Sequence, residues 1–186
     1  ANYLQSNAQT GAFDTISRIK TSEITARLRW AKNEEFISWA FDRTSIRSKY
    51  PIIAIQGVFG IKGILGSMYS YQKTEIQLEH NAQIGILGRL YYGAKAGYIF
   101  GTLAYPLLNA HPGNQSLWLM SSAFNKLDFL EFISDQYVEG FIENHWDGFF
   151  FNRVPLIKKL NLRLVSSARI AYGNLSSRHQ SEVLLE

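Results

Sequence analysis

The sequence predicts an all-β fold, an antiparallel up-and-down β-barrel wall that crosses a membrane, and three observations carry that expectation. Charged residues make up only 18% of the chain while aromatics reach 14%, against about 25% charged residues in ordinary soluble domains. Apolar and polar residues alternate with a period of two through most of the 186 residues. The alternating stretches run to about ten residues, the length that crosses a bilayer at the usual tilt of a barrel strand; soluble strands average nearer five or six. No run of ~18 apolar residues occurs, which excludes a spanning helix.

The elements follow in chain order. In 23–30, Ile24, Ala26, Leu28 and Trp30 share one face and Glu23, Thr25, Arg27 and Arg29 the other, because successive strand side chains point to opposite sides. Asn33-Glu34 is a turn signal, and Ile37, Trp39 and Phe41 then alternate with Ser38, Ala40 and Asp42, predicting a hairpin with 23–30. A more evenly apolar strand is expected over 51–59 after a short connection at 44–49. The next has Thr74, Ile76 and Leu78 opposing Glu75, Gln77 and Glu79. A turn at 85–89 leads into 90–100, where Tyr91, Tyr92, Tyr98 and Phe100 stand among small residues. The last two strands are expected at 136–146 and 160–172, the latter with Leu160, Leu162, Leu164, Ala168 and Ile170 opposing Asn161, Arg163, Ser167 and Arg169.

About seven strands do not close on themselves, and an open sheet edge cannot persist in lipid, where each unpaired backbone group costs several kcal/mol. The 1–186 chain is therefore expected to be part of a barrel domain whose closing strands lie outside it. The polar first ten residues lack the charged-then-apolar pattern of a leader, so any export signal is expected upstream. The connection at 101–134 is unusually long and holds Pro106, Pro112 and Gly113 among bulky apolar residues; loops of that length are uncommon unless functional. Counting sides along the chain groups Asn33, 60–67 and 101–134, the expected outward surface. The chain has no cysteine, and its net charge of +4 comes from scattered Lys and Arg with no basic run, which argues against nucleic acid. Lipid is the expected partner, with other envelope proteins or the remaining strands of the same barrel beside it.

Between residues 48 and 160 the sequence resembles a known family. The phrases are Ser48-Lys49-Tyr50-Pro51, Gly60-Ile61-Lys62-Gly63 with Leu65-Gly66-Ser67, Tyr69-Ser70-Tyr71, Ile99-Phe100-Gly101-Thr102 and Tyr105-Pro106-Leu107-Leu108. They continue with His111-Pro112-Gly113-Asn114, Ser134-Asp135-Gln136-Tyr137 and Phe151-Asn152-Arg153-Val154-Pro155-Leu156. In order, they resemble the C-terminal barrel region of a Bacteroidota outer-membrane family of unknown function, whose members carry an N-terminal carboxypeptidase-regulatory-like β-sandwich. Met68 stands where the family pattern has an acidic residue and Ala104 where it has proline. The resemblance implies a bacterial outer-membrane location and a barrel architecture, and it supplies no catalytic residues.

Few residues invite a chemical reading. Glu139, Glu143 and His145 share one face of the 136–146 strand; such a cluster could bind a cation, but strand alternation facing a watery lumen produces the same set, and the lumen reading is preferred. Tyr105, Pro106, His111, Pro112, Gly113 and Asn114 form a possible functional loop, with His111-Pro112-Gly113-Asn114 read first as a chain reversal and second as a ligand-contacting turn. His80 and His179 lack metal-ligand spacing. No Ser–His–Asp motif, phosphate loop or zinc motif is readable, so no catalytic, metal or cofactor site is expected. Trp30, Trp39, Trp118 and Trp146 are expected near strand ends or in a loop, as an interfacial belt. Three functions remain in play: a non-catalytic structural or transport barrel, a protein-assembly barrel of the surface-antigen type whose long loop enters the lumen, and a soluble β-sandwich binding module.

Overall fold

Period-two alternation becomes a six-stranded antiparallel sheet in the computed structural model, which describes residues 3–6, 13–16, 18–39, 42–114, 123–128, 131–151, 159–160, 162–177 and 179. The strands are β1 (Tyr3–Ser6), β2 (Phe13–Ile16), β3 (Glu23–Trp30), β4 (Glu34–Ser38), β5 (Arg43–Ser48), β6 (Ile52–Gly60), β7 (Tyr71–Gln83), β8 (Arg89–Gly101), β9 (Asn109–Ala110), β10 (Ile133–Ser134), β11 (Gln136–His145) and β12 (Val165–Asn174). The sheet runs β12-β11-β8-β7-β6-β3, and β1-β2, β4-β5 and β9-β10 form separate two-stranded ladders. No α-helix occurs among the described residues, and none of their helices is long and apolar enough to cross a membrane.

Two expectations are corrected. The segment after Asn33 does not pair with 23–30: β3 pairs with β6, and β4 pairs with β5. Residues 44–49, expected as a connection, largely form β5. The physical reason is that β4 alternates much as a sheet strand does, and alternation does not say which neighbour a strand takes. The long sheet therefore has six strands among the described residues, not seven. The lost strand also reverses the side count. Asn33 lies at the end of the sheet with Trp30 and Ile52, together with 83–89, 145–151 and 162–165 (the hairpin end). Residues 60–71, 101–114 and 131–136 lie at the opposite end (the loop end). Positive φ at Asn33 still marks the predicted turn. The predicted strands at 51–59, 74–79, 90–100 and 136–146 all fall within or along β6, β7, β8 and β11, whereas the last strand begins at Val165 and leaves Leu160, Leu162 and Leu164 before it.

Register sorts the sheet into two chemically distinct faces. Reading the partners across, Ile24, Leu28, Ile55, Ile76, Leu78, Ala94, Ala96, Ile142 and Ile170 lie on one face. No Asp, Glu, Lys or Arg of the six strands joins them. Glu23, Arg27, Arg29, Lys73, Glu75, Glu79, Arg89, Lys95, Glu139, Glu143 and Arg169 all lie on the other. The apolar face is uncovered: Leu28 is 71% and Ile170 72% exposed, and Ile24, Ile55, Ile76 and Ile142 are also exposed. Aromatics mark both of its ends. Phe59, Phe100, Tyr98 and Tyr172 stand toward the loop end; Trp30 and Tyr92 stand at the hairpin end, with Trp146 packed against Phe149 and Phe150. Of the expected tryptophan belt, Trp30 and Trp146 hold such positions, Trp39 is exposed just beyond β4 at the hairpin end, and Trp118 lies outside the described residues.

The charged face repeats one packing unit. Tyr71 lies over Gly60 and carries Lys73 5.3 Å from its ring centroid; Tyr137 lies over Gly97 and carries Lys95 at 5.3 Å; Phe141 lies over Gly93 and carries Arg169 at 5.2 Å. Glycine on one strand leaves room for the ring of the next, and the ring's face accepts a cation. A Cβ at Gly97 would lie 2.3 Å from the Tyr137 ring, whereas one at Gly57 would meet the Phe59 ring at 3.3 Å. Gly97→Val should therefore destabilise the fold by about 1–3 kcal/mol, the usual cost of overpacking, and Gly57→Ala by much less, as read from denaturant unfolding of the two variants side by side.

Candidate functional site

The buried core is not beneath the sheet but at its loop end. Leu103, Ala104, Leu108 and Ile133 of the long connection pack with Tyr69, Tyr71 and Ile99. The chain leaves β8 at Gly101, whose φ of +94° only glycine adopts easily. It makes a single 3-10 turn at Tyr105–Leu107 with Pro106 inside it, then pairs β9 with β10 before entering β11. Far from looping free, 102–114 and 131–135 are docked on the charged face. Lys73 Nζ donates to the Leu107 carbonyl at 2.8 Å, and the Ile99 N–H donates to the Asp135 carbonyl at 2.8 Å.

His111 is the centre of this docking. It is 1% exposed, stacked on Phe132 at 4.7 Å and met edge-on by Tyr137 and Phe124. Its Nε2 lies 2.8 Å from Ser134 Oγ and its Nδ1 2.7 Å from Glu139 Oε1; the latter is a close polar contact, with the N–H bent away from the ideal line. The other oxygen of Glu139 accepts an ion pair from Lys95 at 3.2 Å. The chain reversal expected at 111–114 is thus not what these residues do. Gly113 instead bridges to Phe124, and a Cβ there would come within 2.2 Å of the Asp128 carbonyl oxygen. Asn114 Nδ2 donates to Asn125 Oδ1 at 2.6 Å.

A second buried cluster adjoins the first. Asp135, 2% exposed, accepts from the Ser176 N–H at 3.1 Å and from its hydroxyl, and lies 3.2 Å from Nδ1 of the buried His179. This ties the chain leaving β12 to the foot of the loop. Glu143 and His145, placed correctly on the face of Glu139, contact each other at 2.7 Å farther along β11 and take no part in either cluster. The residues whose roles sequence reasoning missed are Lys95, Ser134, Asp135, Ser176 and His179; Ser134 and Asp135 entered in a phrase quoted for resemblance, and His179 as a histidine without metal-ligand spacing. No group of three or more metal-ligating side chains occurs among the described residues.

Chemically, Ser134, His111 and Glu139 stand in the hydroxyl–imidazole–carboxylate order of a nucleophilic triad. A nucleophile must reach an acyl carbon, and Ser134 has no exposed surface at all. What this arrangement can do is hold. A ring with its proton on Nδ1 faces Glu139, in close contact but off the hydrogen-bond line, and accepts the Ser134 hydroxyl on Nε2.

The family model for the C-terminal domain of a family of unknown function, DUF5686, matches residues 1–184. The chain belongs to this family. No curated protein and no solved structure matches it. The family's phrases with Tyr105, Pro106, His111, Pro112, Gly113 and Asn114 lie in the docked loop, and those at 152–156 lie outside the described residues.

Removing one partner of a buried polar contact leaves the other unsatisfied, at about 1–3 kcal/mol. Glu139→Ala should accordingly cost about 1–3 kcal/mol and expose the loop amides first, as seen by hydrogen exchange at 103–111. Burial pushes the His111 ring below its ordinary value of 6.5, against the raising pull of Glu139. The unfolded ring therefore takes a proton before the folded one, and this contribution is complete above pH 6.5 and lost as pH falls below it. Burial alone would raise the Asp135 carboxyl, but the Ser176 hydrogen bonds and His179 hold it below its ordinary value of 3.8. Its contribution is present above that value and lost on further acidification. Loop protection should thus fall in two steps on acidification, and His111→Gln should remove the first.

Proposed function

We propose that this chain is a wall of a bacterial outer-membrane β-barrel, non-catalytic, with a structural or transport role in the cell envelope. The single observation that carries the reading is the sorting of charge. Across six strands every Asp, Glu, Lys and Arg lies on one face, and the opposite face is apolar, uncovered and bounded at both ends by aromatics. Fully burying one Leu or Ile side chain is worth about 1.5–3 kcal/mol, so so large an apolar face left in water would be costly. Lipid covers it without a second layer of protein. Lumen-facing charge and lipid-facing apolar residues alternating along each strand, with aromatic girdles, are the signature of such barrels.

The sheet has two outer strands, β3 and β12, whose far edges pair with no described strand. In hydrocarbon these edges need partners, and further strands of the same barrel supply them in this reading. The tight turn around Gly85–Leu87 lies at the hairpin end, the kind of turn barrels place on the periplasmic side, so 101–134 belongs to the outward end. A Bacteroidota source and an N-terminal carboxypeptidase-regulatory-like domain remain part of the proposal, resting on the phrases quoted above. A soluble sandwich would need a second sheet over Ile24, Leu28, Ile76, Leu162 and Leu164, and no described residue provides one: these side chains are exposed.

A second reading has one observation in its favour. In an assembly barrel of the surface-antigen type a long loop enters the lumen, and here 102–114 and 131–135 lie on the charged face. Depletion of the protein separates the two: loss of other outer-membrane proteins supports an assembly factor, and altered solute uptake alone supports a pore.

Lipid-facing charge at mid-membrane costs about 2–4 kcal/mol in barrels. Ile76→Lys should therefore abolish recovery of the full-length protein from the detergent-extracted envelope, while Gln77→Lys, one residue along and on the charged face, should be tolerated. Equal recovery of both variants, or wild-type protein in the detergent-free soluble fraction, would sink the membrane assignment.

A further inference from the structure

We propose that residues 18–22 and 60–68 bind an anionic lipid, taking its phosphate on Lys20 and Lys62 and an acyl chain in the adjoining cleft of the apolar face. The proposal rests on the barrel reading above and goes beyond it by assigning one lipid class to one place on the wall. Two short segments build the site at the loop end, and backbone hydrogen bonds lock them into one unit. The Ile61 N–H donates to the Ser22 carbonyl at 3.2 Å, the Met68 N–H to the Lys20 carbonyl at 3.1 Å, and the Ser22 hydroxyl to the Ile64 carbonyl at 2.8 Å. The Gly63 N–H closes the loop onto the Ser67 carbonyl at 2.9 Å.

This unit is apolar and cationic together. Ile61, Ile64, Leu65 and Met68 are exposed, Leu65 at 90% and with a left-handed φ of +50°, a conformation uncommon for side chains of its kind. Arg18, Lys20 and Lys62 are exposed in the same two segments, and no Asp or Glu occurs in 18–22 or 60–70. None of the three cations forms an ion pair with a described residue. The next carboxylate along the chain, Glu23, lies on the charged face and accepts a hydrogen bond from the Tyr71 hydroxyl. A soluble anion has no use for the apolar tip, and a neutral lipid has no use for unopposed cations; an anionic lipid engages both. The cleft continues the apolar face. About 660 Å³ in volume, it lies among Ile24 of β3, Phe59 of β6, Ile61 and Phe100 of β8. Gln72 of β7 lines it too, between Phe59 and Phe100 in register. It brings an amide to the level where the esters of a lipid join chain to phosphate.

Thermal unfolding of the purified full-length protein in neutral maltoside micelles tests the site, with phosphatidylglycerol, phosphatidylcholine or inorganic phosphate added. A ligand of the folded state raises Tm, so phosphatidylglycerol should raise it by several degrees and the other two should not. Lys20→Gln with Lys62→Gln should raise the phosphatidylglycerol fraction needed for half the effect about twentyfold, each lysine being worth about fivefold beside an anionic lipid surface. Ile61→Asn should weaken the response as well. Lys159→Gln, an exposed position between β11 and β12 at the hairpin end, should leave it unchanged. All these side chains are exposed, so Tm without lipid should stay at the wild-type value. An equal rise with phosphatidylcholine or with inorganic phosphate overturns the lipid site while leaving the barrel reading intact. So does a wild-type response in the double variant or in Ile61→Asn, or an equal loss in Lys159→Gln. Full-length protein that stays soluble without detergent overturns the barrel reading, and the site with it.

Discussion

An extended backbone sends successive side chains to opposite sides, and the rest of this structure depends on how that rule is used. Over β3, β6, β7, β8, β11 and β12 the register keeps every ionised side chain on one side of the sheet. A slip of one residue in any of these ladders would send Arg27, Glu75, Lys95 or Glu139 to the apolar side. The pairing is therefore specified by charge as strongly as by apolar contact. The cost of an ion on an apolar face does for this sheet what core packing does for a sandwich.

The charged face is not simply wet. Tyr71, Tyr137 and Phe141 each cover a glycine on the neighbouring strand and each carry a cation over the ring. Hydrogen bonds from Tyr71 to Glu23 and from Tyr137 to Glu75 extend the same pattern across strands. This face gives Leu107 and His111 a defined surface on which to dock. Where the loop meets it, His111 and Ser134 are buried, and the hydrogen bond between them offsets part of the cost of taking their polar atoms out of water. His111 suits the position because one ring presents a donor and an acceptor on opposite sides, reaching Glu139 and Ser134 at once.

Sequence reasoning read the sheet well and the loop poorly, and the difference is physical. The strands at 23–30, 52–60, 71–83, 89–101 and 136–145 were legible because alternation is a local property. So was the common face of Glu139, Glu143 and His145. Residues 34–48 misled it: they alternate like a wall strand but close on themselves as β4 and β5, and that choice moved Asn33 to the opposite end from Gly60. Length alone marked 101–134 as unusual. The His111-Pro112-Gly113-Asn114 run looks like a reversal because its residue types favour turns, while the glycine is needed for close approach to the Asp128 carbonyl.

By itself the sequence determined the all-β class, the two-faced character of the strands, the family and the presence of one exceptional connection, since each follows from neighbours along the chain. Only tertiary structure decided that β3 joins β6, that 102–114 and 131–135 lie on the charged face, and that His111 meets Ser134 and Glu139, 23 residues away in the first case. Pairing partners and docked loops are settled by energies between distant segments, where many arrangements share the same local pattern.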